Sequence, residues 1–226
     1  MKKELSLLVF TVILVACVAV LPFIQSEGVQ EDFVIIIDAG HGGDDGGAVS
    51  IGGICEKDLN LAMSKSLSSN LEAMGYHVIM TRTDDTDTDG EEGFNKRKDI
   101  LNRLKYTEQY PNSLFISVHM NSSTSSTDKG FTVFYGEKNE LSKKIAENIY
   151  YAVENFAYTS RLRDVKEAPD SVYLMNNCTV PAILVECGFI SNKTDEALLM
   201  DEKYREDLSY ILACGIDKFC IENNYT

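Results

Sequence analysis

The chain has 226 residues, 44% hydrophobic and 25% charged, proportions that exclude a collagen, a coiled-coil rod and a wholly disordered protein. Its 35 acidic against 21 basic side chains leave a formal net charge of −14. A surface built to grip phosphate backbones is thereby excluded, and nucleic acid is not an expected partner.

Met1-Lys2-Lys3-Glu4 is followed by an uncharged run from Leu5 to Ile24, long enough to cross a ~30 Å hydrocarbon core as a helix. Lys2 and Lys3 are expected to stay cytoplasmic, which puts everything after Ile24 outside that membrane. The favoured reading of residues 1–24 is an uncleaved membrane anchor. A cleaved signal peptide stands beside it, as does a lipobox, Leu14-Val15-Ala16-Cys17, that would leave Cys17 lipidated. Polar residues 25–32 read as a linker, and 33–226 as one catalytic domain outside the cell membrane, in the cell envelope. An anionic wall or membrane surface would repel so acidic a body, so a polymer substrate must be captured by specific groups. Beyond Cys17, Cys55, Cys178, Cys187, Cys214 and Cys220 are odd in number and irregularly spaced, the pattern of small core fillers.

In chain order, Phe33-Val34-Ile35-Ile36-Ile37-Asp38 is a β-branched run closed by glycine, the pattern of a buried strand. Apolar residues from Lys57 to Met74 recur at helical spacing, with Gly75 as the stop. A strand over Tyr76 to Thr81, a helix over Asn95 to Glu108 and a buried strand over Leu114 to His119 follow. Phe131 to Tyr135 reads as a shorter strand, Glu140 to Phe156 as a helix, and Ser171 to Leu174 as a short edge strand. Ala182 to Glu186 is an apolar strand, and Asp195 to Cys220 is mostly helical. Strands alternating with helices predict an α/β fold with a mixed, largely parallel sheet flanked by helices.

His41 in DAGHGG and His119 in ISVHMN fall at or just beyond the carboxyl ends of expected central strands, the edge where open α/β sheets bind ligands. The glycines around His41 let the backbone pass close to a bound group. A phosphate loop is the rival reading, but GHGGDDGG lacks the lysine and sets two aspartates where the anion would sit. Glu56 opens the Lys57 helix and Glu186 ends the strand Ile183-Leu184-Val185. Two imidazoles and one carboxylate with an open position describe a catalytic zinc site, and a further glutamate can act as general base. On spacing alone, satisfied polar groups at strand ends explain these residues as well.

The strings IIIDAGHGGDDGGA, ICEKDLNLAMSKSLSSNLEAMGYHVIMTRTDD, FISVHMNSS and PAILVECGFISN, in that order, resemble the zinc-dependent N-acetylmuramoyl-L-alanine amidases of the Amidase_3 family. The resemblance runs from about Phe33 to Phe219. It implies zinc held by His41, Glu56 and His119, with Glu186 as the catalytic glutamate. The compact body, the N-terminal segment and the VECGFISN string are most similar to sporulation-type amidases acting on spore-cortex peptidoglycan. The implied reaction is hydrolysis of the amide between the lactyl group of N-acetylmuramic acid and L-alanine of the stem peptide, preparing muramic δ-lactam. Its implied substrate is peptidoglycan; the apolar run in residues 1–24 adds the membrane as an expected partner, and an accessory protein that completes the site or localises the enzyme is a further candidate. A zinc carboxypeptidase-like peptidase and a catalytically silent peptidoglycan-binding protein are the alternatives.

Asn121, two residues past His119, is a candidate substrate-binding residue, with a simple turn role as its rival. His77 reads as structural. Cys187 should point away from Glu186 along its strand, and Cys55 has no expected chemistry. Asp85-Thr86-Asp87-Thr88-Asp89-Gly90 imitates half a calcium loop, but Lys96 stands where a bidentate glutamate is needed, so a solvated acidic loop is expected. Arg82 and Arg97 are candidate anchors for this loop, and Arg97 or Arg163 for stem-peptide carboxylates.

Overall fold

The computed structural model describes residues 33–90 and 93–225. The anchor and linker expected over residues 1–32 lie outside the described residues. Strand β1, Val34–Ala39, is buried along its whole length, as its β-branched run requires. Helix α1, Glu56–Ala73, carries the chain back to β2, Val78–Met80. Helix α2, Lys96–Gln109, precedes β3, Ser113–Asn121, and β4, Thr132–Tyr135. Helix α3, Leu141–Phe156, leads to β5, Lys166–Glu167, the short helix α4, Tyr173–Asn177, and β6, Ala182–Phe189. Helices α5, Lys193–Met200, and α6, Glu202–Glu222, complete the described chain.

The six strands lie in the order β2-β1-β3-β6-β4-β5. All pairings are parallel except β4 with β6. This is the mixed, largely parallel sheet expected from the alternation of elements, with a core on each face. Ile35 and Ile37 turn toward Met63 and Leu67 of α1, Ile149 of α3 and Leu212 of α6. Val34 and Ile36 turn the other way, toward Leu104 of α2 and Leu174 and Met175 of α4. The period-2 alternation of one strand therefore feeds both layers.

Two expected elements are corrected. Ser171 to Leu174 is not an edge strand: the chain turns there into α4, and β5 forms the sheet edge. Consecutive Leu174 and Met175 both enter the second core layer, which a strand's alternation forbids and a helical turn allows. The single C-terminal helix is two helices, because Asp201 accepts the Lys203 and Tyr204 N–H groups and starts α6 afresh. Asn192 caps α5 in the same way. β6 also runs three residues past Glu186. The order of strands places the carboxyl ends of β1, β3 and β6 side by side, with His119 opposite Glu186 in the register.

Candidate metal centre

Beyond β1 the backbone is fastened before it delivers a side chain. The carbonyls of Ala39, Gly40 and His41 all accept hydrogen bonds from buried groups. Arg82 Nε and Arg103 Nη1 donate to Ala39, Arg82 Nη2 and Asn60 Nδ2 to Gly40, and Arg103 Nη2 to His41 at 2.8 Å. His41 itself sits at φ 60°, a left-handed conformation uncommon outside glycine, so this clamp holds a strained residue in place. Gly40 has to be glycine: a Cβ there would stand 2.2 Å from His119 Nε2.

Arg103 is anchored by Asp38 at 2.6 Å and Asp99 at 2.8 Å. Asp38 further accepts the Thr81 and Ser117 hydroxyls. Burial alone would lift the Asp38 pKa, but the Arg103 guanidinium and these hydroxyls outweigh it and hold the carboxyl below its usual range. Its ionised form therefore stabilises the fold above the unfolded pKa near ~3.9, and that contribution disappears as pH falls through the lower native value. Arg103→Met is expected to destabilise the protein by about 3–5 kcal/mol in denaturant unfolding at pH 7, because it strands two buried carboxylates. The deficit should narrow on acidification, because a buried Asp38 deprived of its cation takes up a proton more readily than the paired one. A deficit that stays constant or widens on acidification would show that the guanidinium is not neutralising them.

Glu56, at the first position of α1, is the hub of the site. Its Oε1 lies 3.0 Å from His119 Nδ1 and accepts the Met120 N–H, while its Oε2 lies 3.3 Å from His41 Nε2 and accepts the Ala48 N–H. Asn60, one turn further along α1, donates to Oε1. Burial opposes ionisation of Glu56, but the two imidazoles overrule it and the pKa falls far below the carboxylate norm. His41 Nδ1 is 2.8 Å from Asp45 Oδ2. Burial works against an imidazolium there, yet Glu56 and Asp45 raise the His41 pKa to about 9. With Nδ1–H given to Asp45, the Nε2 lone pair of His41 faces the cluster.

One donor atom from each of His41, Glu56 and His119 falls within 4.8 Å of the others. Glu56 meets each imidazole with a different oxygen, Oε1 at 3.0 Å from His119 Nδ1 and Oε2 at 3.3 Å from His41 Nε2, so either oxygen can serve as its donor atom. Two imidazoles and one carboxylate, with one ring oriented by an outer carboxylate, are a donor set that could hold a metal ion. Glu186 stands beside them, with Oε2 buried and without a hydrogen-bond partner among the described residues. Burial is the main reason that its pKa rises to about 7. His41, His119 and Glu186 line one cleft of about 260 Å³, closed on the far side by Ile100 of α2 and by Val172 and Tyr173 of the α4 turn.

All four residues expected to share a site thus converge. Asn121 does not line the cleft: its carbonyl accepts the Ile190 N–H where β3 and β6 slip register. His77 is exposed at the start of β2. Cys187 points into the core as its alternation with Glu186 requires, and burial pushes its thiol pKa up. All five described cysteines are free. The acidic loop acts as a brace: Asp85 binds Lys57 Nζ and the Gly43 N–H, and Asp99 accepts from Thr88. Arg163 is committed elsewhere, donating to the Lys129 carbonyl and lying 4.7 Å over the Phe189 ring. Sequence reasoning missed Asp45 and the Asp38–Arg103–Asp99 triad. Only the i,i+4 spacing of Asp99 and Arg103 was available as a signal.

The fold and the clustered polar residues define a hydrolase of the cell-wall amidase class. Residues 35–218 match the Amidase_3 family, N-acetylmuramoyl-L-alanine amidase, and the chain belongs to that family. It is 35% identical over 194 residues to the germination-specific N-acetylmuramoyl-L-alanine amidase of Bacillus subtilis, covering 84% of this chain and 80% of that protein. Its fold is similar to the CwlD amidase of Clostridioides difficile, solved in complex with the GerS lipoprotein. The TM-score is 0.78 at 33% identity, over 84% of this chain and 98% of that one. The catalytic domain of CwlV, an amidase of Bacillus (Paenibacillus) polymyxa, superposes with a TM-score of 0.72 at 32% identity, over 83% and 98% of the two chains.

Proposed function

We propose that the chain is a zinc-dependent amidase that cuts the bond between the lactyl group of N-acetylmuramic acid and L-alanine of the peptidoglycan stem. We place its action outside the cell membrane, in spore-cortex maturation that leads to muramic δ-lactam, with an accessory protein as partner. The observation that carries this reading is the convergence of His41, Glu56 and His119 beside a buried carboxylate oxygen of Glu186 that has no partner. The germination-specific relative, and the solved relative captured with a lipoprotein, support the narrower role.

In this reading His41 Nε2, Glu56 and His119 hold the zinc, and Asp45 keeps the His41 ring in the required tautomer. Bound there, zinc would acidify water and polarise the amide carbonyl. Glu186, whose side chain lines the cleft, takes the proton of the attacking water and returns it to the departing L-alanine nitrogen. The apolar wall of Ile100, Val172 and Leu184 limits water around that exchange. The test is product analysis after the zinc-loaded full chain meets purified glycan strands bearing stem peptides. Peptides with a new L-alanine amino terminus and an unbroken glycan are the expected products. Release of a carboxy-terminal amino acid instead would establish a carboxypeptidase, and binding without release a silent protein.

A further inference from the structure

Two cations line the cleft, Lys96 and Arg103, and only one of them is spoken for. Arg103 spends its donors on Asp38, Asp99 and the Ala39 and His41 carbonyls. Other cations near the loops are equally committed: Lys57 to Asp85 and the Gly43 carbonyl, and Arg82 to the carbonyls of Ala39, Gly40, Lys57 and Asp84. The Lys96 ammonium makes no hydrogen bond or ion pair among the described residues. It sits exposed at the first position of α2, opposite Tyr173, which is 50% exposed across the cleft. It lines the same cleft as Asp45, the carboxylate that orients His41.

The rest of the cleft would repel an anion. Asp38, Asp45, Asp99 and Glu186 all line it, in a chain of net charge −14. Among the described side chains of the cleft, Lys96 is the lysine or arginine left uncommitted for a substrate carboxylate to meet. Resting on the amidase reading above, we infer that Lys96 is a specificity-determining residue that receives the stem-peptide carboxylate nearest the scissile amide. Stem peptides continue from L-alanine into a γ-linked D-glutamate, and the α-carboxylate of that second residue is the group in question. When it is amidated, the ammonium gains a neutral oxygen in place of an anion, and the charge-assisted part of the hydrogen bond is lost. A free carboxylate is thus preferred over the amide at that position.

The test compares kcat and KM of the zinc-loaded full chain on two muramoyl peptides that differ only in D-glutamate or D-isoglutamine at the second position. Wild type should favour the carboxylate by about tenfold in kcat/KM, expressed mainly in KM. Lys96→Ala should bring the ratio close to one, Lys96→Glu should reverse it, and Lys96→Arg should restore a preference. A further readout is the affinity of the Glu186→Gln protein for the uncleaved peptides, which should show the same order without turnover. If wild type cleaves both peptides equally, or Lys96→Ala keeps the preference, the assignment of Lys96 is overturned while the amidase reading stands. If wild type binds zinc but cleaves neither peptide, the amidase reading itself fails and Lys96 loses its role with it.

Discussion

Glu186→Gln is expected to lower turnover on muropeptides by a factor of ~10² to 10⁴ while leaving metal content unaltered. The reason is positional. Glu186 lies on β6 directly opposite His119 of β3, yet it does not belong to the trio whose donor atoms converge. Its side chain lines the cleft, and its buried Oε2 has no hydrogen-bond partner among the described residues. Glutamine keeps the shape and removes the proton traffic. Burial first, opposed by the charge of His119 and His41, leaves the carboxyl titrating near 7 in the metal-free protein. A native pKa above the unfolded one means that the folded state binds the extra proton between about pH 4.3 and 7, so metal-free stability should fall as pH rises through that window. The glutamine variant should lack that fall. Loss of zinc from Glu186→Gln, measured by metal analysis, would mean that Glu186 is a ligand and that the roles assigned here are wrong.

Removing a ligand should act in the opposite sense. His119→Ala or Glu56→Gln is expected to abolish both tight zinc binding and turnover, an effect larger than the ~10–100-fold loss of affinity usual for groups behind the ligands. Thermal unfolding supplies a readout independent of activity. Zinc at 100 times its Kd should stabilise the wild type by about 2.7 kcal/mol, and the variants should show no such shift. Zinc must also displace protons, because Glu56 and Asp45 hold the His41 pKa at about 9 against the effect of burial. Affinity should therefore fall as pH drops below about 9. Substituting Asp45 with Asn should weaken that dependence, since one of the two carboxylates supporting the imidazolium is gone. A wild-type zinc affinity independent of pH between 6 and 9 would rule out His41 as a ligand.

Much of this site could be read from the chain because its chemistry is carried by rare residue types at element ends. There are only three histidines in the chain, and two of them close runs of β-branched residues that had to be central strands. Glu56 and Glu186 similarly mark the start of a clear helix and a position on an apolar strand. Local sequence thus determined the α/β class and the sheet edge that bears the site, and it offered four residues suited to metal chemistry without separating them from satisfied polar groups at strand ends. It did not reveal what surrounds them. Asp45, Arg103 and Arg82 lie in polar segments where solvated charge is the ordinary reading, and Lys96 looks like any exposed helix lysine.

Tertiary structure alone decided their roles, because the partners are set by strand order and not by neighbourhood in the chain. Arg103 meets Asp38 across 65 positions, and His119 meets Glu56 across 63, only once β1 and β3 have paired and α1 and α2 have packed on opposite faces. The same packing replaced the strand expected over Ser171 to Leu174 with the helix Tyr173–Asn177, since Leu174 and Met175 had to enter one layer together. Patterning specifies which face each residue presents. Which charges then become neutralised, and which one is left to meet a substrate, depends on how distant segments are brought together in space.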